Sequence, residues 1–491
     1  MPVKSSLFRS GWLAVIQVVW TTAALFIVYR MVTHRFGLGV IGLWSGALAL
    51  SSLVGIADCG LSDIMVRQVA EALGRSDGAR ARGLHRSLSA WSLLGPIVVC
   101  IIAAPAIHSF LLPATPAVLK SALDALILGA LVVACLNIVT AAQFGVLEAL
   151  GRYDLKLVAA ISAGITMVAV ALATHVSGSA SLVALVFVAG SACNAGIGAV
   201  MGSRLLRARA PRAEHISRSE FWRLLRIGAP VRLASMLTLG LEPVTRAALT
   251  RLAGVDTVAL YEIAYRVIFQ LRSAIVAGLQ PLVPHLSRLG IADARRNSET
   301  VLRAASCGVA IAIPALSLAL IGLPALALAV LGRTEPEVIL FGVMLSGAWL
   351  VNIAAAPAYF ANLAQGRVHR NWASQGVMCL LNIVLAPVAG RIWGATGVVA
   401  ATSVAVFGGS VAALLSRRDE ARQLPRRLGV TEWFALAGGI AGVILVSLAR
   451  WFGLDGISLV GFETAVAVVY TGAVALPLAR RLPALVKGLE A

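Results

Sequence analysis

Long apolar segments, separated by short polar connections, recur along almost the whole sequence. Each is about 18 to 29 residues long, and a helix of about 20 residues crosses a bilayer core about 30 Å thick. The segments lie at residues 11–32, 40–57, 88–112, 121–148, 157–176, 181–203, 227–250, 257–285, 304–323, 337–363, 372–390, 395–416, 431–449 and 458–479. We interpret all of them as helices, because a strand in hydrocarbon would leave its backbone polar groups unpaired.

The composition excludes an ordinary water-soluble domain. Hydrophobic residues make up 59% of the chain and charged residues only 13%, whereas about 25% of a typical soluble domain is charged. The sequence therefore predicts an all-α polytopic membrane protein with about 14 transmembrane helices and no soluble domain.

The basic residues follow the alternation of the connections. The formal net charge is +19, which by itself suggests nucleic acid. However, 30 of the 41 Lys and Arg residues lie in the terminal tails and in every second connection, and only 6 lie in the intervening connections. This bias is typical of a protein oriented by membrane insertion and by anionic lipids. We predict a multi-pass protein of the bacterial inner membrane, with both termini in the cytoplasm, in contact with membrane lipids and not with nucleic acid.

No pattern of reactive residues indicates catalysis or a cofactor. The six Cys residues are scattered singly and the seven His residues show no ligand spacing, so neither a metal site nor a thiol redox motif is predicted. The run from Gly37 to Gly42 matches the dinucleotide-binding pattern, but a membrane helix precedes it where that pattern requires a strand. The sequence therefore predicts neither an enzyme nor a cofactor.

Three pairs of landmarks recur at nearly one offset and indicate an internal repeat. The segment from Arg30 to Gly37 matches the segment from Arg246 to Gly254, and the Gly-Arg pair at 151–152 matches the pair at 366–367. The basic runs that begin at residues 204 and 417 form the third pair. Six predicted spans separate the members of each pair, so the two copies have the same orientation. Parallel copies of this kind enclose a substrate site in many transporters.

The repeat predicts the domain organisation. The amino-terminal lobe comprises residues 1–216 with six spans, and the carboxy-terminal lobe comprises residues 217–430 with six more. Residues 431–491 hold two additional helices and a cytoplasmic tail. The fold class is therefore two parallel-repeat six-helix lobes followed by two extra helices.

Six segments of the sequence together carry a family resemblance. They are Arg35–Trp44 (RFGLGVIGLW), Asp58–Ser62 (DCGLS), Arg67–Glu71 (RQVAE), Tyr261–Arg266 (YEIAYR), Pro281–Pro284 (PLVP) and the Asn382 helix with the following Gly394–Ala401 (GATGVVAA). These segments resemble the polysaccharide-biosynthesis flippases of the multidrug/oligosaccharidyl-lipid/polysaccharide exporter superfamily. The resemblance implies a V-shaped pair of six-helix lobes, alternating access, and a polyprenyl-pyrophosphate substrate that carries a sugar repeat unit. It also suggests the polysaccharide polymerase machinery as a partner, and leaves open whether O-antigen, capsule or exopolysaccharide is made.

Charged residues within the predicted spans supply the candidate site, because such residues are costly in a bilayer and often functional. Arg246 follows Glu242 by four residues and Arg266 follows Glu262 by four, so each pair can form an ion pair on one helical face. Arg272 has no acidic residue at helical spacing, and neither has Arg232. At about 1.5 Å per residue, Arg266 lies about 12–14 Å and Arg272 about 21–23 Å from the extracytoplasmic end of the eighth span.

These arginines have a functional and a structural interpretation. In the functional one, Arg266, Arg272 and the nearby Gln270 line a cationic cavity, where guanidinium groups bind the substrate diphosphate. Arg246 and Arg30 join them because they lie at matching positions of the repeat. In the structural interpretation, the arginines pair with acids of neighbouring helices and only hold the bundle together.

A further cation lies on the cytoplasmic side. The connection at residues 64–86 is predicted to contain an amphipathic helix, with Met65 and Val69 on its apolar face. Arg67 on this helix is a candidate for cytoplasmic substrate entry. Contact with lipid headgroups is the simpler interpretation.

Three other functions remain open. A drug or cation antiporter of the same superfamily needs a carboxylate in its cavity, usually in the first helix, and that helix holds Gln17 and Arg30 instead. A lipid II flippase also needs a cationic cavity, so the sequence hardly separates it from an oligosaccharide flippase. A membrane-bound sugar polymerase or ligase usually carries a large extracytoplasmic loop, and none is predicted.

Overall fold

The computed structural model describes residues 3–58, 60–210, 212–224, 226, 240–279, 282, 286, 294–454, 456–478 and 480. These residues form helices joined by short turns, with no β-strand among them. Eleven of the described helices are long and apolar enough to cross a membrane. The predicted all-α polytopic architecture is therefore confirmed.

Not every predicted span corresponds to one separate helix of the structure. The helix Val368–Leu415 has 48 residues and contains two predicted spans, at 372–390 and 395–416. The predicted span at 227–250 lies partly outside the described residues, as does the end of the span at 257–285. A nine-residue helix, Leu323–Leu331, lies between the predicted spans at 304–323 and 337–363. A total of 14 spans stays a prediction.

The chain divides into two compact units, residues 1–259 and 260–491. Eight α-helices of unit 1 are labelled here in chain order: α1 (Val3–Phe36), α2 (Leu38–Ser51), α3 (Leu61–Gly74), α4 (Gly78–Leu111), α5 (Lys120–Ala149), α6 (Tyr153–Ser177), α7 (Val183–Arg209) and α8 (Leu241–Leu252). A ninth helix, α9 (Val255–Leu279), begins in unit 1 and continues in unit 2. The lobe boundary predicted at residue 216 stays a prediction about the repeat.

Aromatic stacking and small residues hold unit 1 together. Trp44 of α2 stacks on Phe187 of α7, with ring centroids 4.5 Å apart and an interplanar angle of 14°. Beside this pair, a Cβ atom on Gly129 of α5 would lie 2.5 Å from Cβ of Ala184 in α7, so only glycine permits this approach. Between membrane helices, van der Waals packing of this kind replaces the hydrophobic effect as the main attraction.

A second close approach in unit 1 joins α2 to the start of α9. A Cβ atom on Gly42 would lie 1.7 Å from the Val255 carbonyl oxygen, and one on Gly39 would lie 3.1 Å from Oδ1 of Asp256. The first distance is far below any non-bonded contact. The glycine motif that looks like a dinucleotide-binding pattern is therefore a surface for helix packing.

The amphipathic helix predicted after α2 is present as α3. Met65 and Val69 are fully buried, and α3 packs on α4 and α5. Arg67, on the opposite face, is exposed. Apolar residues four positions apart lie on one face of a helix, so the burial of this face of α3 agrees with the predicted amphipathic helix.

Unit 2 contains seven further described helices: α10 (Ala294–Ile321), α11 (Leu323–Leu331), α12 (Pro336–Ala364), α13 (Val368–Leu415), α14 (Arg418–Arg427), α15 (Val430–Trp451) and α16 (Gly456–Tyr470). α12 packs on α13 and on α10, and α10 also packs on α15. The core of this unit contains Phe341 and Trp349 of α12, both buried.

α13 folds back on itself at one point. Trp393 and Gly394 leave the helical conformation, and Gly394 has φ 60° and ψ −140°. The two halves then pack together, because Thr402 Oγ1 donates to Asn382 Oδ1 at 3.1 Å. Two spans of opposite direction therefore follow one another with almost no loop between them.

Replacing Gly394 by alanine is expected to destabilise unit 2 by about 1–3 kcal/mol, because this backbone conformation is strained for any residue with a Cβ. Gly347→Ala in α12 is the control, since nothing lies within 4 Å of its Cβ position. The melting temperature in detergent, followed by intrinsic fluorescence, measures both variants. Equal melting temperatures for the two would contradict the assigned turn.

The matched landmarks of the repeat have the same backbone geometry. Gly151 and Gly366 end their helices with φ 70° and 71°. In the first turn, the Arg152 amide donates to the Leu147 carbonyl at 2.8 Å, and in the second, the Arg367 amide donates to the Asn362 carbonyl at 2.8 Å. Left-handed glycines with this bonding are a common helix ending, and here they occur at two paired landmarks of the predicted repeat.

Candidate functional site

Arg272 on α9 is held by a chain of neutral polar groups from two other helices. Its Nε donates to Oδ1 of Asn352 on α12 at 3.0 Å. The Nδ2 of Asn352 in turn donates to Oγ of Ser410 on α13 at 3.0 Å. Ser410 completes the chain by donating to the Val406 carbonyl at 2.6 Å. The orientation of the guanidinium is therefore fixed by residues far apart in the sequence.

An aromatic wall lies beside the same guanidinium. Its Cζ is 5.3 Å from the ring centroid of Trp349 and 5.8 Å from that of Phe269. The two rings meet edge to face at 5.6 Å, and Tyr265 stacks on Phe269 at 5.1 Å. Cation–π contacts of this kind contribute about 0.5–2 kcal/mol each. They stabilise the charge without neutralising it.

Within the described part of the chain, Arg272 forms no ion pair, and its Nη1 and Nη2 atoms donate no hydrogen bond. One edge of the guanidinium is thus fixed by Asn352, and the two terminal nitrogens have no partner among the residues that the structure describes. A planar pair of N–H donors is the arrangement that binds phosphate oxygens in a bidentate manner. The site suits an anionic ligand.

Arg266 differs from Arg272 because it has an acidic partner. Its Nε donates to Oε1 of Glu262 at 3.0 Å, and only 1% of the Glu262 side chain is exposed. Gln270 follows Arg266 by four residues and shares its face. At about 100° per residue, Arg272 lies about 120° away from Arg266 around the helix axis. The three polar residues of α9 therefore do not form one continuous row.

The predicted site residues of unit 1 lie in different environments. Arg246 is buried, with 3% of its side chain exposed, and its Nη1 lies 2.5 Å from Oε2 of Glu242. Arg30 on α1 and Arg67 on α3 are exposed. The structure thus contains both predicted ion pairs, at Glu242 and Glu262.

The remaining intramembrane arginine and several other highlighted residues lie outside the described residues. They are Arg232, Gln280, Pro230, Pro281 and Pro284.

Comparison with known proteins places the chain in a family. The family model described as "Polysaccharide biosynthesis protein" matches residues 8–290, which is more than half of the chain. The chain belongs to this family. The sequence resemblance to polysaccharide-biosynthesis flippases is thereby confirmed. No curated protein sequence matches the chain.

Solved structures show the same fold for this member of the polysaccharide biosynthesis family. The lipid II flippase MurJ, in an inward closed conformation, superposes with a TM-score of 0.68 at 12% identity, covering 95% of this chain and 99% of that one. An inward-facing MATE-family transporter of the MOP superfamily gives 0.63 at 15% identity, covering 85% and 100%. A MATE transporter of Vibrio cholerae, VcmN, gives 0.63 at 14% identity, covering 85% and 97%. At these identities the likeness establishes the fold that these three proteins share, and neither a role nor a substrate.

The neutral residues that hold Arg272 were not identified from the sequence. Asn352 and Ser410 are single polar residues in strongly apolar spans, and their spacing relates them to nothing nearby. A buried asparagine in a membrane helix needs a partner, which is the one signal that would have singled out Asn352. Which partner it has depends on how α9, α12 and α13 pack.

A third residue that sequence reasoning missed is Glu463 on α16. Only 2% of it is exposed. Its Oε2 accepts a hydrogen bond from the Ala325 amide at 3.0 Å, near the start of α11, and its Oε1 has no partner among the described residues. A carboxyl group at this place stabilises an otherwise unpaired amide of the first helical turn.

Glu463→Leu is expected to destabilise the protein by about 0.5–2 kcal/mol, since the Ala325 amide would lose its acceptor. Glu463→Gln retains an acceptor oxygen and is expected to leave the melting temperature nearly unchanged. Thermal unfolding of the two variants in the same detergent measures the difference. If Glu463→Gln lowered the melting temperature as much as Glu463→Leu, the negative charge, and not the hydrogen bond, would stabilise α11.

Proposed function

We propose that the protein translocates polyprenyl-pyrophosphate-linked oligosaccharide repeat units across the inner membrane, for the synthesis of O-antigen, capsule or exopolysaccharide. Membership of the polysaccharide biosynthesis family and the transporter fold support translocation in general. The observation that supports an anionic, lipid-linked substrate is the setting of Arg272. Its guanidinium is fixed on one edge by Asn352 and is unpaired on the other edge among the described residues.

Electrostatics explains why this arrangement favours an anion. A charged side chain within a membrane costs about 2.5–3.5 kcal/mol on insertion scales, and an acidic partner usually offsets part of the cost. Among the described residues, the neighbours of Arg272 are an amide and aromatic rings, which do not neutralise its charge. A diphosphate would supply the missing counter-charge during transport. Bidentate donation from Nη1 and Nη2 would position it, and alternating access would carry it across.

Transport of an organic cation receives less support from this site. A cation carrier needs a carboxylate that is free to exchange its partner, whereas the two carboxylates beside the candidate arginines, Glu242 and Glu262, are both bonded to arginines. The MATE-family likeness concerns the fold alone. Translocation of lipid II is the second candidate, because the MurJ structure covers almost the whole chain and a lipid-linked diphosphate would bind Arg272 in the same way.

Proteoliposomes containing the purified protein test the proposal directly. Three probes are compared under equal conditions: a fluorescent undecaprenyl-pyrophosphate oligosaccharide, fluorescent lipid II, and a fluorescent organic cation with an imposed proton gradient. We expect flipping of the oligosaccharide lipid and little movement of the cation. Preferential flipping of lipid II would assign the second candidate, and gradient-driven cation efflux without lipid flipping would overturn the proposal.

The remaining parts of the proposal concern orientation and partners. An inner-membrane location with both termini in the cytoplasm follows from the distribution of basic residues, and the polymerase that extends the polysaccharide is the expected partner of the flipped product. Reporter fusions after each predicted span measure the orientation. An amino terminus and a carboxy terminus on opposite sides would contradict it.

A further inference from the structure

A pocket of about 360 Å³ opens in unit 1 between α4 and the connection that follows α7. Both sides contribute equally to its lining, which consists of Ser87, Ala90, Trp91, Leu94, His215, Ile216, Arg218 and Phe221. We refer to these eight residues as the headgroup pocket. None of them is among the predicted substrate-binding residues.

The connection is fixed on α4, so the pocket does not depend on a ligand for its shape. The Glu214 amide donates to the Ala79 carbonyl at 2.9 Å. A Cβ atom on Gly83 would lie 2.3 Å from the Glu214 carbonyl oxygen, so the two backbones touch. Further along, Arg80 bonds to Glu220 at 2.5 Å. Hydrogen bonds, close packing and an ion pair thus hold this wall in place.

One end of the headgroup pocket is polar and cationic. His215 and Arg218 are exposed, and within the described residues neither forms a hydrogen bond or an ion pair. Ser87 adds a hydroxyl on the α4 side. A guanidinium, an imidazole and a hydroxyl together can bind the oxygens of a single phosphate group.

The other end is aromatic. Trp91 meets Phe221 edge to face at 5.8 Å and Trp222 at 5.9 Å. Tryptophan is enriched at the boundary between lipid headgroups and hydrocarbon, where its ring is apolar and its N–H is polar. The pocket therefore has the polarity gradient of a membrane interface.

An exposed apolar stripe begins at the pocket and continues along α4. Leu94, Val98 and Ile101 are 65%, 61% and 70% exposed, and residues at this spacing share one face of a helix. Leu94 itself lines the pocket. A ligand with a phosphate in the pocket and a hydrocarbon chain on this stripe matches the surface over its whole length.

We propose that the headgroup pocket binds an anionic glycerophospholipid. Arg218, His215 and Ser87 contact the phosphate, Trp91 lies at the level of the glycerol backbone, and an acyl chain follows the α4 stripe. The lining contains one guanidinium, that of Arg218, which forms no ion pair with any described residue. One positive charge matches the one negative charge of a phosphodiester better than the higher charge of a diphosphate. Basic pockets at the ends of membrane helices are a common setting for anionic lipid headgroups.

Native mass spectrometry of the detergent-solubilised full chain, titrated with palmitoyl-oleoyl phosphatidylglycerol, tests the proposal. Arg218→Ala is expected to weaken binding about 10-fold. Arg212→Ala, an exposed arginine of the same connection outside the pocket, is the matched control and is expected to bind like the wild type. Phosphatidylcholine with the same acyl chains is expected to bind more weakly and to be insensitive to Arg218→Ala.

Ala90→Trp tests the pocket without changing its charge. Ala90 is exposed, so the larger side chain fills the pocket without disturbing the core, and we expect a similar loss of phosphatidylglycerol binding. Equal effects of the Arg218 and Arg212 variants would overturn the proposal, because they would indicate general surface charge. Undecaprenyl pyrophosphate that displaces phosphatidylglycerol at equimolar concentration would also overturn it and would assign the pocket to the transported lipid.

Discussion

Arg272→Ala is expected to reduce flipping of a fluorescent undecaprenyl-pyrophosphate oligosaccharide in proteoliposomes by about 10- to 100-fold. Hydrogen bonds to a charged group contribute about 1.5–3 kcal/mol each, and the variant loses the two terminal N–H donors of the guanidinium. Arg272→Lys keeps a positive charge but loses the planar pair of donors, so we expect an intermediate rate. Initial rates are compared at equal amounts of folded protein, measured by size-exclusion chromatography.

Two further variants separate a substrate contact from a structural role. Asn352→Ala removes the group that orients Arg272 at Nε and is expected to slow transport while leaving the charge. Arg266→Ala instead removes one cation from the buried Glu262, and breaking such a pair costs about 3–5 kcal/mol of stability. Wild-type transport by folded Arg272→Ala would assign Arg272 to helix packing and remove the main support for the anionic site.

Gly42→Ala is expected to destabilise unit 1 by about 3 kcal/mol or more. The added methyl group would lie 1.7 Å from the carbonyl oxygen of Val255. Overpacking usually costs about 1–3 kcal/mol, and occasionally more. Since the atom in the way belongs to the backbone, no side-chain rotation relieves the clash, and α2 must move away from the start of α9. The melting temperature in detergent and the yield of monodisperse protein measure the effect.

Gly196→Ala in α7 is the matched control for Gly42. Both glycines lie in helices of unit 1, but nothing lies within 4 Å of the Cβ position of Gly196. Alanine is favoured over glycine in a helix by about 1 kcal/mol, so the control variant is expected to be as stable as the wild type or slightly more stable. Similar melting temperatures for the two variants would show that α2 and α9 do not approach as closely as described.

The spans and the local ion pairs could be predicted from the sequence because they depend on neighbouring residues alone. A run of apolar residues fixes a membrane helix irrespective of its neighbours. Helical geometry then brings Glu242 to Arg246 and Glu262 to Arg266. The glycine turns at Gly151 and Gly366 were also visible as matched landmarks, because a helix ending is a local property.

The surroundings of Arg272 could not be predicted, since its partners lie on other helices. Asn352, for example, is 80 positions away in the sequence. In addition, the lipid-facing residues and the core residues of a membrane helix are both apolar. Hydrophobic periodicity therefore does not reveal which faces of α9, α12 and α13 meet. The same reason hid the contact of Gly42 with Val255 and the pocket between α4 and residues 215–221.

The sequence by itself determined that the chain lies in a membrane, that its fold is all-α, and which arginines and glutamates pair four residues apart. Through its resemblance it also determined the family. Each of these depends on composition, on spacing along one helix, or on a local turn. Only the tertiary structure decided which intramembrane arginines pair with an acid and which one contacts neutral groups. It also decided which glycines must lack a side chain and where α13 reverses. Those outcomes depend on contacts between distant segments, and in a membrane such contacts are set by the packing of shapes and of a few polar groups.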